Sequence, residues 1–503
     1  MYMIKSGKSR FSSRKRGAAD FAFFVYRYFW RADVKRIGGK RVCMNNEKDL
    51  TSGNLWKQIM LFSLPLMLSN VLQVLFNLSD IFVVSNFSGN PNSLGAVGQT
   101  STLVVLFTGF AIGMGSGVNA LTAHFIGSKN DKDLRETIHT SAIVCLIVGV
   151  VLCAILFFAA GLCLKLVDTS PTFFADAKLY LKIYAFGMPA LALYNFGNGV
   201  LSAAGDTKRP LIYLAIAGVI NVLLNLFFVI VCKLDVAGVA IASIISQYIS
   251  AILIFISLLR NKGGAAVRLK HLKITPEKAR KILALGLPAG FQNSIFSIAN
   301  LFIQKAVNSF NCDTIVNGNT AAANADALIY DLLAAYYTAC SSFMGQNFGA
   351  GKKDRMRASY RISLIYSFGT GILAGGALLL FGRQFLSIFT KNPAEIEDGM
   401  QRLVVMGASY AVSSFMDCTI AASRGLGKSF VPTIIVISGS CVFRVIWIYT
   451  IFAHFHTVPS LYLLYPCSWI LTAIAEIIYY LFTYKKISKR LDEKQTEHLA
   501  VAE

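Results

Sequence analysis

Charged residues are scarce in this chain of 503 residues: they make up 15% of it, whereas hydrophobic residues make up 55% and the mean hydropathy is +0.56. A soluble fold cannot bury that many apolar side chains. The ten cysteines form no C-x-x-C pair, which argues against a zinc site or a disulfide framework. Metalloprotease, serine-hydrolase and Walker-type nucleotide-binding motifs are also absent. We therefore expect a membrane protein that is not an enzyme and has no metal or cofactor.

Apolar stretches of about 20 to 28 residues, bounded by charge, proline or glycine, recur along the chain. Each is long enough to cross roughly 30 Å of hydrocarbon as a helix. The sequence therefore predicts an all-α polytopic membrane protein with twelve transmembrane helices. We number them 1 to 12, at about 56–84, 93–125, 137–164, 178–204, 210–232, 236–259, 282–310, 319–348, 359–388, 399–423, 430–454 and 461–484.

The net charge of +22 is concentrated outside these stretches. Residues 1–43 contain twelve basic and two acidic residues, and the loops after even-numbered helices hold nineteen basic residues against about five after odd-numbered ones. Because Lys and Arg are enriched in cytoplasmic loops, both termini are predicted to be cytoplasmic, in a bacterial-type inner (plasma) membrane. With the charge in these flanking segments, we expect the lipid bilayer, and no nucleic acid, as a partner.

The two halves of the sequence repeat each other. A shift of 223 residues aligns Pro65 with Pro288 and Asn70 with Asn293, and a shift of 222 aligns Gly205 with Gly427 and Pro210 with Pro432. Six helices per copy return the chain to the same side, so the repeats are parallel. We expect an N-lobe (51–259), a cytoplasmic linker (260–281), a C-lobe (282–485) and a cytoplasmic tail (486–503), with a central cavity between the lobes.

The basic extension at residues 1–50 has two interpretations. Residues 21–30, FAFFVYRYFW, are too short to span a membrane and contain Arg27, which is typical of an interfacial amphipathic segment. Alternatively, translation starts at Met44 and the preceding residues are not native.

Ionisable and amide side chains within the N-lobe spans are candidates for function, because polar groups are costly in lipid. Asp80 lies in helix 1, and Gln73 lies two turns earlier on the same face. Asn195 and Asn198, Asn221 and Asn225, and Ser243 lie on helices 4, 5 and 6. A cluster of these groups could bind H⁺ or Na⁺. The alternatives are an interfacial aspartate at a helix end and polar contacts between helices.

The C-lobe spans contain further acids. Asp326 and Asp417 either attract cations into the cavity or pair with Arg444 or interfacial water. Asp331 has no assigned role, and Glu476 is left out of the site because helix 12 is expected to be peripheral. We predict that only Arg444 and Lys305 are basic residues within the spans.

Five segments carry a resemblance to a known family. They are LFSLPLMLSNVLQVLFNLSD at 61–80, SAAGDTKRP at 202–210, GLPAGFQNSIFSIAN at 286–300, MGQNFGAGKKDRM at 344–356 and ASRGLGKSFVP at 422–432. Over about residues 50–485 the chain resembles the multidrug and toxic compound extrusion family.

The resemblance implies an antiporter in which a helix 1 carboxylate, matching Asp80, couples ion and substrate. The family's other N-lobe polar positions match Gln73, Tyr180, Asn195, Asn198, Asn221, Asn225 and Ser243. Two departures matter. The helix 5 pair often ends in Asp where this chain has Asn225, so Asp80 would carry the coupling charge alone. Some branches have a glutamate in helix 7, whereas residues 282–310 contain no acid.

We therefore expect a secondary active antiporter that acts as a monomer and exports small amphipathic, often cationic compounds in exchange for H⁺ or Na⁺. The sequence does not distinguish the two ions. One alternative is a flippase for lipid-linked precursors of the same superfamily, which would need a cationic cavity. Another is a membrane-embedded enzyme or receptor.

Overall fold

A computed structural model of the protein describes residues 34–37, 40–43, 48–90, 93–167 and 169–502, without the side chains of 34–37, 40–43, 494, 495 and 497–502. The chain divides into two units, Met1–Glu47 and Lys48–Glu503. In the first unit, strands β1 (Val34–Ile37) and β2 (Lys40–Cys43) form an antiparallel hairpin, with Val34 opposite Cys43. The predicted amphipathic segment at 21–30 lies outside the described residues.

The second unit is helical, which confirms the predicted fold class. Its helices are α1 Leu55–Phe87, α2 Ser93–Gly127, α3 Asp131–Leu166, α4 in two segments (Phe174–Ala185 and Met188–Ala203), α5 Lys208–Val231, α6 Asp235–Arg260, α7 Pro276–Asn308, α8 Asp313–Gly349, α9 Lys353–Leu386, α10 Pro393–Gly425, α11 Phe430–Phe455, and α12 in two segments (Val458–Tyr462 and Leu464–Ala502). Part of α5 (Phe227–Val231) and two parts of α11 (Ile437–Val442 and Ile448–Phe452) are wound as π-helix.

Ten of these helices in the described part of the chain are long and apolar enough to cross a membrane. The other two are α4 and α8. Helix α4 is interrupted at Phe186 and Gly187, before a segment with Pro189 in its first turn, so neither part is long. Helix α8 carries several asparagines and three aspartates; Asn319 is only 2% exposed because it packs against protein. The apolar stretches bounded by charge, proline or glycine thus included these two helices, which do not meet the length and hydropathy criteria of the other ten.

The lobes cross tightly where α2 meets α8, at the end of the bundle that carries the linker between α6 and α7. We call this the linker end. Gly127 packs against the backbone of Gln346, and Gly349 packs against the backbone of His124. The two contacts are related by the 222-residue repeat. An added Cβ at either glycine would collide with a carbonyl oxygen, so the crossing requires glycine on both helices.

Hydrogen bonds between the lobes follow the same repeat. Asn119 of α2 and Ser342 of α8, which are 223 residues apart, donate to each other at 3.0 and 3.1 Å. Asn70 of α1 donates to the backbone oxygen of Asp331 at 2.7 Å, and Asn293 of α7 donates to that of Gly109 at 2.9 Å. Helices α1 and α7 therefore each bind the opposite lobe.

Residues 48–54 form a strap at the linker end. Arg355 of α9 donates to the backbone oxygens of Gly53 at 2.9 Å and Ser52 at 3.0 Å, and Gln346 accepts from the backbone NH of Leu50 at 3.1 Å. Burial alone would raise the pKa of Asp49 in this strap, but hydrogen bonds from the Ser52 and Thr51 side chains bring that pKa below its ordinary value. These contacts fasten the segment preceding α1 to the C-lobe.

A second interlobe contact lies at the start of α7. Lys278 is 2% exposed, forms an ion pair with Asp133 of α3 at 2.7 Å, and lies over the Phe125 ring. Asp133 and Arg355 are related by the 222-residue repeat. Each lobe therefore uses the first turn of its third helix to hold a segment of the other lobe at the linker end.

Candidate functional site

A polar cluster in the N-lobe joins three helices. Asp80 of α1 accepts a hydrogen bond from Asn225 Nδ2 of α5 at 2.5 Å and one from Ser243 Oγ of α6 at 3.3 Å. Asn225 also donates to Asn221 Oδ1 at 3.2 Å, one helical turn away. We call these four residues the Asp80 cluster. The structure brings together all four residues that were predicted to bind the coupling ion; that role remains a prediction.

The partners of Asp80 are neutral. In the described part of the chain, Asp80 forms no ion pair, and its hydrogen bonds come from an amide and a hydroxyl. Asn225 Oδ1 is buried and has no partner among the described residues. Carboxylate, amide and hydroxyl oxygens are ligands suited to a hard cation, and the carboxylate also accepts a proton. The cluster can therefore be completed by H⁺ or Na⁺.

Two tyrosines extend the surroundings of the cluster. Tyr180 is buried and stacks on Tyr184, with ring centroids 5.8 Å apart, and both rings lie within electrostatic range of Asp80. The Tyr184 hydroxyl accepts from Gln247 at 2.9 Å. Tyr184 and Gln247 were missed by the sequence analysis. Their position one turn after Tyr180 and Ser243 is the signal that could have found them.

Gln73 is not part of this cluster. Its side chain is exposed, and no hydrogen bond joins it to another of the described residues. Seven residues separate it from Asp80, which is a rise of roughly 10 Å along the helix, so a shared face does not bring the two side chains into contact. Asn195 and Asn198 also lie elsewhere: both line the central cavity.

The central cavity has a volume of about 160 Å³ and lies between the lobes. Helices α2, α4, α7, α8 and α10 contribute its walls. Its polar lining includes Ser116, Asn119, Asn195, Asn198, Ser202, Gln292 and Asn293, and Tyr330 and Tyr337 provide aromatic surface. Asp417 and Arg424 of α10 are the charged side chains among the described lining residues.

Asp326 forms an ion pair, but with Arg402 of α10 and not with Arg444. Arg402 Nη2 lies 2.5 Å and its Nε 2.8 Å from Asp326 Oδ2, and Tyr410 donates a hydrogen bond to the other carboxylate oxygen. The arginine is 7% exposed and lies over the rings of Tyr462 and Tyr465. Asp326 is therefore neutralised within the protein and does not face the cavity.

The number of basic residues predicted within the spans was wrong. Arg402 lies inside α10 and was overlooked within its apolar stretch. Arg424 was assigned to a loop, although α10 extends to Gly425. Arg444 is buried, but it donates to Ser468 at 3.0 Å and packs on the Tyr465 ring at 4.6 Å. It is therefore not the ion-pair partner of Asp326 or Asp417 in the described structure.

Glu476 also differs from the prediction. Helix α12 packs against α10, and the Glu476 side chain is fully buried, with both carboxylate oxygens lacking a partner among the described residues. Arg424 lies within electrostatic range of both Glu476 and Asp417. Helix 12 was expected to be peripheral because sequence periodicity does not show which neighbour a helix packs against.

Comparison with known proteins gives three matches that cover most of the chain. The MatE family model matches residues 65–227 and 288–450, one match in each half. The probable multidrug resistance protein YpnP of Bacillus subtilis is 30% identical over 71% of this chain and 79% of its own length. The probable multidrug resistance protein YoeA of the same species is 26% identical over 86% of this chain and 95% of its own length.

The fold is also similar to a solved structure. The outward-facing structure of a multidrug resistance MATE family transporter of the MOP superfamily aligns with a TM-score of 0.81 at 22% identity, covering 88% of this chain and 99% of the other. At this identity the similarity concerns the fold.

Proposed function

This chain belongs to the MatE family of membrane transporters, and from that premise we propose that it exports small amphipathic compounds in exchange for H⁺ or Na⁺ bound at Asp80. The family is not enzymatic, and relatives named as multidrug resistance proteins imply drug-like substrates. Family membership thus gives transport across a membrane. The coupling ion, the direction of transport and the substrate are our proposal.

The observation that carries the proposal is that no basic side chain among the described residues pairs with Asp80. A carboxylate held on a membrane-spanning helix by neutral donors keeps its charge uncompensated, so a cation or a proton that reaches it is stabilised. Asp326 shows the contrast, because Arg402 already neutralises it. Asp80 is therefore the acid of the two that can exchange an ion.

Helix α1 connects this cluster to the contact between the lobes. Asp80 binds α5 and α6, while Asn70, ten residues earlier on the same helix, binds the backbone of α8. A proton or Na⁺ on Asp80 weakens its charge-assisted hydrogen bonds, each of which is worth roughly 1.5–3 kcal/mol. Ion binding thereby changes how tightly α1 is held in the N-lobe, and the contact at Asn70 transmits that change to the C-lobe.

The energy available from one ion is sufficient for this exchange. A monovalent cation that moves inward gains about 2.3 kcal/mol per 100 mV of membrane potential. A tenfold gradient of a neutral substrate costs about 1.4 kcal/mol. A one-to-one exchange of a cation for a neutral substrate can therefore sustain more than a tenfold gradient.

The test is ethidium efflux from proteoliposomes under an imposed proton or sodium gradient. We expect Asp80→Asn to abolish gradient-driven efflux, and the gradient that drives the unsubstituted protein identifies the ion. Asp331→Asn is the matched control, since it removes a carboxylate that has no contact with the Asp80 cluster in the described structure. It keeps the backbone oxygen to which Asn70 donates, so its efflux should be retained. Undiminished gradient-driven efflux by Asp80→Asn would exclude Asp80 from coupling.

Arg424 is the observation that favours the second candidate, a flippase for lipid-linked precursors. A pyrophosphate headgroup requires several cationic groups, whereas Arg424 shares the cavity with Asp417. The flippase is tested in the same proteoliposomes with a fluorescent lipid pyrophosphate. Translocation of that lipid without ion-driven ethidium efflux would favour the flippase over the antiporter.

A further inference from the structure

The two charged side chains of the central cavity lie on one helix and do not neutralise each other. Asp417 and Arg424 are seven residues apart on α10, so roughly 10 Å of helix rise separates their Cα atoms. Asp417 is 7% exposed, and its Oδ2 is buried without a partner among the described residues. Arg424 Nε is also buried without such a partner. Two opposite charges therefore face the cavity incompletely satisfied.

In the part of the chain that the structure describes, the Arg424 side chain makes one hydrogen bond, and it is long. Its Nη2 donates to Gln292 Oε1 of α7 at 3.4 Å, and Gln292 accepts from Thr433 at the same distance. An amide oxygen orients a guanidinium group but does not neutralise it. Because buried charges without partners are costly, a ligand that offers an opposite charge to each group gains the free energy of satisfying both.

Among the described lining residues, those of the facing wall carry no charge. The 222-residue repeat places Asn195 of α4 opposite Asp417 in the alignment, and Ser202 opposite Arg424, and all four residues line the cavity. Their N-lobe members offer amide and hydroxyl groups only. Both charges therefore come from one wall, and as parts of a single helix they keep their spacing when the lobes move apart.

Four ionisable side chains of the C-lobe, two acids and two arginines, lie near one another at this wall. Arg424 lies within electrostatic range of Glu476 and Asp417, and Asp417 lies within range of Arg444. Two carboxylates and two guanidinium groups are formally neutral together. A ligand that carries only a positive charge would pair with Asp417 and leave Arg424 unpaired, whereas a ligand with both charges preserves the balance.

We propose that the central cavity selects zwitterionic compounds, with an anionic group bound by Arg424 and a cationic group bound by Asp417. This rests on the proposed transport function and specifies its substrate class. The cavity of about 160 Å³ in this conformation is smaller than a typical drug site of roughly 300–1,000 Å³. A full-sized ligand therefore enters when the lobes separate, and the rings of Tyr330 and Tyr337 supply apolar surface for its body.

The test compares two dyes that differ in one charge. Rhodamine B carries a carboxylate and a delocalised cation, whereas its methyl ester retains only the cation. Equilibrium binding to the purified protein in nanodiscs is measured by fluorescence anisotropy, with empty nanodiscs subtracted and no ion gradient present. We expect the protein to bind rhodamine B about tenfold more tightly than the ester. Equal affinities, or tighter binding of the ester, would overturn the proposal without any substitution.

Substitutions assign the preference to the two side chains. Arg424→Gln should weaken rhodamine B binding about tenfold and leave ester binding nearly unchanged, while Arg424→Lys should keep the preference. Asp417→Asn should weaken binding of both dyes, because both carry the cation. Equal weakening of both dyes by Arg424→Gln would contradict the assignment, since loss of folding affects both alike.

The outcome is distinguishable from failure of the transport function. If the dye preference holds but no ion gradient drives ethidium efflux, the cavity assignment stands and the antiport mechanism fails. If ion-driven efflux occurs but the dyes bind equally, the mechanism stands and the selectivity for zwitterions is wrong.

Discussion

Asp80 in the N-lobe and Asp326 in the C-lobe are both partly buried carboxylates on spanning helices, but their partners differ in kind. Asp80 accepts from an amide and a hydroxyl. Asp326 binds Arg402 in a two-contact ion pair and also accepts from Tyr410. At Asp80 the negative charge has no positive partner, so a bound cation can neutralise it. At Asp326 the negative charge is already neutralised by Arg402. The comparison teaches that the partner, more than burial, decides whether such an acid can exchange an ion.

The repeat makes the difference informative. At a shift of 222 the position of Arg402 corresponds to Tyr180, and at a shift of 223 the position of Asp80 corresponds to Ile303. The lobes therefore share a backbone arrangement and the contacts at its crossing, while their polar clusters occupy different positions. Equivalent substitutions at the shared helix crossing should therefore change stability equally in the two lobes. Substitutions in the two polar clusters should have different effects.

The largest effect is expected from breaking the C-lobe ion pair. Arg402→Ala leaves Asp326 without its counter-charge in a buried setting, which should lower the free energy of unfolding by about 3–5 kcal/mol. The measurement is unfolding in an SDS titration followed by helicity. Asp80→Asn should change stability far less, because no counter-charge is left behind.

The control for this prediction removes both charges. Asp326→Asn combined with Arg402→Gln should recover most of the stability lost in Arg402→Ala, since neutral partners carry no uncompensated charge. A double variant as unstable as Arg402→Ala would show that packing of the arginine, and not its charge, stabilises the C-lobe.

An intermediate effect is expected at the helix crossing, and it should be equal in the two lobes. Gly127→Ala and Gly349→Ala each place a Cβ against a carbonyl oxygen of the opposite helix, and overpacking of this kind typically costs about 1–3 kcal/mol. The same SDS titration measures both. Gly376→Ala in α9 is the control, because no atom of the described residues lies within 4 Å of its added Cβ. If only one of the two glycines were sensitive, the crossing would not be symmetric.

The smallest effect is expected within the Asp80 cluster. There, the loss of efflux should decrease with the distance of the substituted residue from the Asp80 carboxylate. Asn225→Ala removes a direct donor to Asp80 and should slow gradient-driven ethidium efflux about tenfold, equivalent to roughly one charge-assisted hydrogen bond. Asn221→Ala, one contact further away, should slow it less.

Asn324→Ala is the matched control for these amides, because Asn324 donates only to the Thr320 backbone in the described structure. Its efflux should equal that of the unsubstituted protein. A larger loss for Asn221→Ala than for Asn225→Ala would place the coupling ion away from Asp80.

Much of the fold followed from the sequence. The family membership and the helical membrane fold are confirmed, as is the absence of an enzymatic function in the family. Membership of a multi-pass membrane protein family is shown as well, whereas the cytoplasmic placement of both termini remains a prediction. In the site, the spacing of Asn221 and Asn225 and the resemblance both pointed to residues that the structure places around Asp80.

Other parts of the site could not be read from spacing. Gln73 shares a helix face with Asp80, but two turns of helix separate them. Arg402 and Asp326 are 76 residues apart in the chain and meet only when α10 packs against α8. Periodicity gives the face of a helix but not its neighbour.

The sequence by itself determined the helical membrane fold, its two repeated halves and the polar residues that must leave lipid, because hydrocarbon thickness and the cost of buried charge act on each helix separately. Only the tertiary structure decided which acid is neutralised, which pair of charges faces the cavity and which helix encloses Glu476. Those outcomes depend on contacts between helices far apart in the chain, and electrostatic free energy is set by the groups that meet there.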